Sequence, residues 1–202
     1  MKDNQFTQKN RTITLLDNEN PKSIVLFGAE SSGKSTLTIQ LANHYEVFSS
    51  AEYSRVYLET KMKYGRYQDT NSLTFDDVEP IAIGQLCSEN TTKQLTISHK
   101  KSFYFLDTNL LTTYLYSKYI YQEVPFWIEK AIENQNYSHY LLLHPNTEWE
   151  FDKQRGGEHS RLFFYDKMKE ELEKRHINYL EVSKLGEERL QEAIKKIDIL
   201  IK

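Results

Sequence analysis

The chain carries one cysteine, Cys87, in 202 residues. That excludes an internal disulfide framework and a zinc cluster built on cysteines. Its six histidines are scattered and show no metal-ligand spacing. Charge is nearly balanced: 26 lysines and arginines against 29 aspartates and glutamates leave a net charge of −3. Electrostatics therefore makes no case for nucleic acid or an anionic membrane as a partner. No apolar run approaches the roughly 20 residues of a membrane span. The polar N-terminus lacks the apolar core of a signal peptide, so a cytoplasmic location is expected. There is no internal repeat and no low-complexity block.

What is present suits one globular domain: 39% hydrophobic and 27% charged residues over a length that can bury a core. Residues 1–20, rich in Asn, Asp, Gln and Lys, read as a flexible polar leader, and the folded domain is expected over 21–202. About five strands are expected, at Ile24–Phe27, Glu46–Phe48, Phe103–Leu106, Tyr140–Leu143 and Tyr179–Val182. Segments of helical period alternate with them, beginning near Lys34, Glu52, Asp77, Tyr114, Pro125 and Glu187, with one more ending near Arg175. Tyr64–Asp76 and residues 145–161 read as loops. Apolar strands alternating with helices imply an α/β fold, a parallel sheet covered on both faces. Ligands of such sheets sit at the carboxyl ends of the strands.

One stretch matches a phosphate-binding loop, G-x-x-x-x-G-K-[ST]: Gly28-Ala29-Glu30-Ser31-Ser32-Gly33-Lys34-Ser35. An apolar strand precedes it and a helix follows, the geometry the motif needs. Its glycines let successive amides face one concavity, and the helix adds its unpaired N–H groups and positive dipole end. Gly28, Ser31, Ser32, Gly33, Lys34, Ser35 and Thr36 form the expected nucleotide-binding set. Lys34 would reach the β- and γ-phosphates, and Ser35 would ligate Mg²⁺. The guanine-reading sequence N-K-x-D is missing, which favours ATP over GTP.

Asp107 follows four apolar strand residues, so it emerges on the rim beside the loop, where P-loop proteins hold their metal; an N-cap for the next helix is the other reading. Thr108 follows it, where P-loop motors often carry a water-activating acid. Glu52 lies on the same rim and would accept a proton from an attacking hydroxyl, with Arg55 one turn on to hold it; equally, the two would be a solvated pair at a helix start. Trp149, Asp152, Arg155 and Arg161 suit a lid that brings cations to the transferring group and excludes water.

Taken in order, the P-loop with Thr36-Leu37, Glu52-Tyr53-Ser54-Arg55, Ile81-Ala82-Ile83-Gly84, Asp107-Thr108-Asn109 with Thr112-Thr113, and Trp149-x-x-Asp152-x-x-Arg155 resemble the ribosylnicotinamide kinase domain of NadR-type proteins. The resemblance implies a three-layer P-loop kinase-type fold with the Asp107 strand beside the P-loop strand. It implies an ATP- and Mg²⁺-dependent kinase whose small-molecule nucleoside substrate is nicotinamide riboside, phosphorylated on its 5′-hydroxyl for NAD salvage. Carried over by position, Lys34, Glu52, Asp107 and Arg155 would be catalytic, and Ser35 and Asp107 would hold the metal. Tyr53, Arg55, Asn109, Trp149, Asp152 and Arg161 would serve substrate and lid. Ala51, Asn109 and Glu148 depart from the family's usual tryptophan, aspartate and proline. Family members also carry an adenylyltransferase domain with an H-x-G-H signature; none occurs in this sequence, so adenylyl transfer is not expected of it. A kinase for another nucleoside and a regulatory ATPase are the competing readings.

Overall fold

The computed structural model describes residues 20–65, 67–148 and 160–201. Most of the expected leader, and the lid residues Trp149, Asp152 and Arg155, lie outside the described residues.

Strand β1 (Lys22–Phe27) forms the middle of a parallel five-stranded sheet in the order β2-β3-β1-β4-β5. The other strands are β2 (Ser49–Ser50), β3 (Phe103–Asp107), β4 (His139–Leu143) and β5 (Tyr179–Val182). The β3 strand lies directly beside β1, pairing Leu26 with Asp107. Helices α1 (Lys34–Tyr45), α2 (Tyr53–Lys63), α3 (Val78–Ser98), α4 (Leu110–Tyr116), α5 (Phe126–Gln135), α6 (Ser160–Lys174) and α7 (Gly186–Leu200) complete the described fold.

Alternation along β1 divides the core. Ile24 and Leu26 face α1 and α7, packing with Leu37, Leu41, Ala193 and Ile197. Val25 and Phe27 face the opposite layer, with Ala82, Leu110, Leu111, Ile128 and Met168. Both sets are buried, so each of the side chains larger than alanine contributes about 1.5–3 kcal/mol. Because β1 is covered on both faces, it is apolar throughout its last four residues instead of alternating in character. Among the described residues no helix is long and apolar enough to cross a membrane.

Three expected elements are placed differently. The second strand is Ser49–Ser50 and not Glu46–Phe48: Glu46 takes a left-handed conformation (φ 51°) that closes α1, and pairing begins only once Phe48 O has accepted from Phe105 N–H. The helix expected over Tyr114–Tyr121 starts earlier, at Leu110, and ends in a π-helical turn over Ser117–Tyr121. The loop Tyr64–Asp76 contains two 3₁₀ turns, the second tied by a reciprocal Thr74–Asp77 capping box.

Glu89, deep in α3, accepts from Tyr137 Oη (2.6 Å), Gln85 Nε2 (3.1 Å) and Leu110 N–H (3.0 Å). Burial nevertheless outweighs these bonds and pushes its carboxyl up to about 7. Between the ordinary glutamate range and that value the folded chain keeps a proton that the unfolded chain has lost. The associated stability is fully present below the unfolded pKa and is lost as pH rises towards 7. Glu89→Gln should remove this dependence. Thermal melts from pH 5 to pH 8 should show the variant gaining on the wild type as pH rises, by about 2–4 °C for each kcal/mol. A constant difference would contradict the assignment.

Candidate active site

Where β1 ends, the chain turns through Gly28–Gly33 into α1. Ser31 (φ 55°) and Gly33 (φ 77°) are both left-handed, the alternation that forms a concave nest of amides. Gly28 is required by proximity: a β-carbon there would meet Leu143 O at 2.9 Å and Ser32 Oγ at 3.0 Å. Ser32 is fully buried and its hydroxyl donates to Ala29 O (2.8 Å), so only its backbone remains for a ligand. Lys34 Nζ folds back onto the same carbonyl (2.9 Å). Thr36 lies exposed at the mouth. Ser31, Ser32, Gly33, Lys34, Ser35, Thr36 and Arg55 line a cleft of about 200 Å³.

Asp107 is the last residue of β3 and is 3% exposed. Burial, and then the nearby Glu52 carboxylate, push it above its ordinary range, against Lys34, the Ser35 hydroxyl and Arg55. Its Oδ1 is buried and accepts no hydrogen bond among the described residues. A dry carboxylate oxygen next to a hydroxyl fits a hard divalent cation, which Ser35 and Asp107 would hold directly or through water. No group of three or more His, Cys, Asp or Glu suited to a metal occurs among the described residues. The next residue, Thr108, is left-handed (φ 64°), a strained state for a β-branched side chain.

Glu52 precedes α2, with its carboxylate held by Ser54 Oγ (2.8 Å) and Arg55 Nε (3.5 Å). It opens onto a second cleft of about 440 Å³, which shares Lys34 and Arg55 with the phosphate cradle. Thr108, Thr112, Tyr116 and Phe164 line this cleft as well. Thr112 Oγ1 is buried without a partner among the described residues. Tyr116 stacks on Phe164, with centroids 4.1 Å apart and planes inclined by 9°. Neither ring was singled out from sequence, although Thr112, Thr113, Tyr116, Ser117 and Ile120 mark one helical face.

Three expected substrate or lid residues are placed elsewhere. Tyr53 lays its ring on Gly84, where a β-carbon would come within 2.0 Å of it; its work is α2–α3 packing. Asn109 is fully buried, donates to Tyr140 Oη (2.8 Å) and does not line the cleft. Arg161 is 6% exposed and grips Ser31 O (3.0 Å), Thr147 O (3.0 Å) and Thr147 Oγ1 (2.8 Å), so it braces the P-loop from behind.

A second brace comes from Arg189 on α7, which sequence reasoning missed. It is equally buried and donates to Ser32 O, Lys184 O (2.6 Å) and Asn146 Oδ1 (2.9 Å). Carbonyls taken by guanidinium groups on the outside leave the loop's amides free to face inward. Arg189→Ala should cost about 1–3 kcal/mol, the penalty for stranding buried acceptors. Calorimetry should show weaker ATP binding together with a lower melting temperature. Unchanged ATP affinity would remove the brace from the account.

A family model described as an AAA domain matches residues 23–189. Two curated relatives, the trifunctional NAD biosynthesis/regulator proteins NadR of Salmonella typhimurium and Escherichia coli, are 29% and 30% identical over 164 residues. Those residues are 80% of this chain but only 38% of each relative's length. Among solved structures, a NadR protein in complex with NR superposes with a TM-score of 0.73 at 23% identity, covering 90% of this chain and 52% of that one. A NadR protein in complex with NAD and AMP-PNP gives 0.72 at 20% identity, covering 90% and 50%. A deoxyadenosine kinase from M. mycoides shares the fold more distantly, with a TM-score of 0.56 at 14% identity over 88% of this chain and 99% of that one. The three-layer P-loop kinase-type fold and the likeness to NadR-type proteins are both borne out. With the match running through β1, the P-loop, Asp107 and Arg189, the chain belongs to the AAA-domain family.

Proposed function

We propose that this chain transfers the γ-phosphoryl group of ATP to the 5′-hydroxyl of nicotinamide riboside, giving nicotinamide mononucleotide and ADP. The observation that carries the proposal is the continuity of the two clefts. The phosphate cradle and the second cavity meet at Lys34 and Arg55, with the Glu52 and Asp107 carboxylates nearby. An acceptor in the second cavity would face the γ-phosphate, and water would be partly excluded by Tyr116 and Phe164.

In this scheme Glu52 takes the hydroxyl proton as the oxygen bonds to the γ-phosphorus and the bond to the β-phosphate oxygen breaks. Lys34 leaves Ala29 O for the phosphates, and Arg55 holds both Glu52 and the transferring group. Ser35 and Asp107 would hold Mg²⁺, which would supply charge neutralisation to the triphosphate. The Thr112 hydroxyl, without a partner among the described residues, is a group for the riboside to pair with. The relatives' names and the NadR complexes with NR and with AMP-PNP support the same choice of donor and acceptor.

The test is ADP release with Mg²⁺·ATP and a panel of ribosides. Nicotinamide riboside should give the highest kcat/KM. Turnover with other nucleosides alone would retain the kinase and replace the acceptor, and ADP release indifferent to every riboside would favour a regulatory ATPase.

A further inference from the structure

Glu52 and Asp107 belong to separate segments, joined to α2 and α4, yet the proposed chemistry needs a fixed spacing between them. Neither helix caps itself: the residues before Tyr53 and Leu110 make no side-chain cap bond. The first amide of each helix lacks an intrahelical partner and, once buried, must find one. Both find it on α3. Tyr53 N–H donates to Gln85 Oε1 (3.0 Å), and Leu110 N–H donates to Glu89 Oε1 (3.0 Å). Four residues apart, the two acceptors are themselves joined by Gln85 Nε2 donating to Glu89 Oε1 (3.1 Å). Each is 2% exposed.

We propose that Gln85 and Glu89 are positioning residues, which set the spacing of the Glu52 and Asp107 carboxylates by capping α2 and α4 from one helix. Glu52 is the residue before Tyr53, and Asp107 stands three before Leu110, across the strained Thr108. Gln85 has no rotameric freedom to spare, since its oxygen serves one helix and its nitrogen the other acceptor. Tyr137 Oη fixes the far oxygen of Glu89 (2.6 Å). Gln85 lines the second cleft and Glu89 does not, so the pair forms a short polar strut in the floor of that cleft, and neither residue lines the phosphate cradle. The inference rests on the phosphoryl transfer proposed above, and a small misplacement of such groups costs about 10²-fold in rate.

The test uses the full chain with Gln85→Met, Glu89→Met and Glu89→Gln, the last keeping an acceptor for Leu110 and Gln85. Turnover with nicotinamide riboside, Mg²⁺·ATP affinity by calorimetry, and amide hydrogen exchange are measured for each. Gln85→Met and Glu89→Met should lower kcat by about 10- to 100-fold while ATP affinity stays within about threefold. Exchange should quicken at the starts of α2 and α4 and not elsewhere, and Glu89→Gln should restore both properties. Wild-type kcat in the methionine variants, or matched losses of kcat and ATP affinity with faster exchange throughout, would overturn the proposal. If the wild type releases no ADP with nicotinamide riboside, the acceptor is wrong and exchange decides: loss confined to the two helix starts upholds the strut, and unchanged exchange refutes it.

Discussion

Lys34→Ala is expected to abolish phosphoryl transfer, by about 10³-fold or more, since the cation that meets the transferring phosphates is lost from a partly dehydrated site. The fold should survive. In the resting chain Lys34 Nζ bonds only Ala29 O among the hydrogen bonds described, and that carbonyl also accepts from Ser32 Oγ. The expected signature is therefore a near-normal melting temperature with no measurable ADP release. A variant that turned over at the wild-type rate would contradict the assignment of the loop.

Glu52→Gln should produce a different pattern. Glutamine can still accept from Ser54 Oγ, so the start of α2 is kept, but it cannot take a proton from the acceptor. The turnover number should fall by about 10²–10⁴-fold, the usual contribution of a general base. ATP affinity should not fall with it. The Glu52 charge helps to push Asp107 up, so its removal lets Asp107 ionise more easily. Mg²⁺·ATP binding should then extend to lower pH in the variant than in the wild type. Equal losses of turnover and affinity would make Glu52 a structural residue.

The P-loop was legible because its chemistry is local: Gly28 follows directly on a strand, and Lys34 and Ser35 open the helix a few residues later. Asp107 was legible because an acid ending an apolar strand has one place to emerge in a parallel sheet. The braces were not. Arg189 reaches Ser32 across 157 residues and Arg161 reaches Ser31 across 130, and no periodicity announces such pairings. The Gln85–Glu89 strut was hidden in the same way, since Gln85 reads as one more residue on the inner face of a long helix. The second strand was misplaced because Glu46-Val47-Phe48 looks extended while a left-handed Glu46 uses that stretch to end α1. Tyr53 and Asn109 stand beside Glu52 and Asp107 in the stretches that carry the family resemblance, and it is the resemblance that groups them with the substrate residues. Adjacency in sequence says nothing of which way a side chain turns, and these two turn to Gly84 and Tyr140.

The most direct measurement follows the fate of the γ-phosphate. With γ-labelled ATP, Mg²⁺ and nicotinamide riboside, the label should appear on the 5′-oxygen of the riboside in one-to-one proportion with ADP. Label recovered only as inorganic phosphate, or left in ATP, would contradict the account.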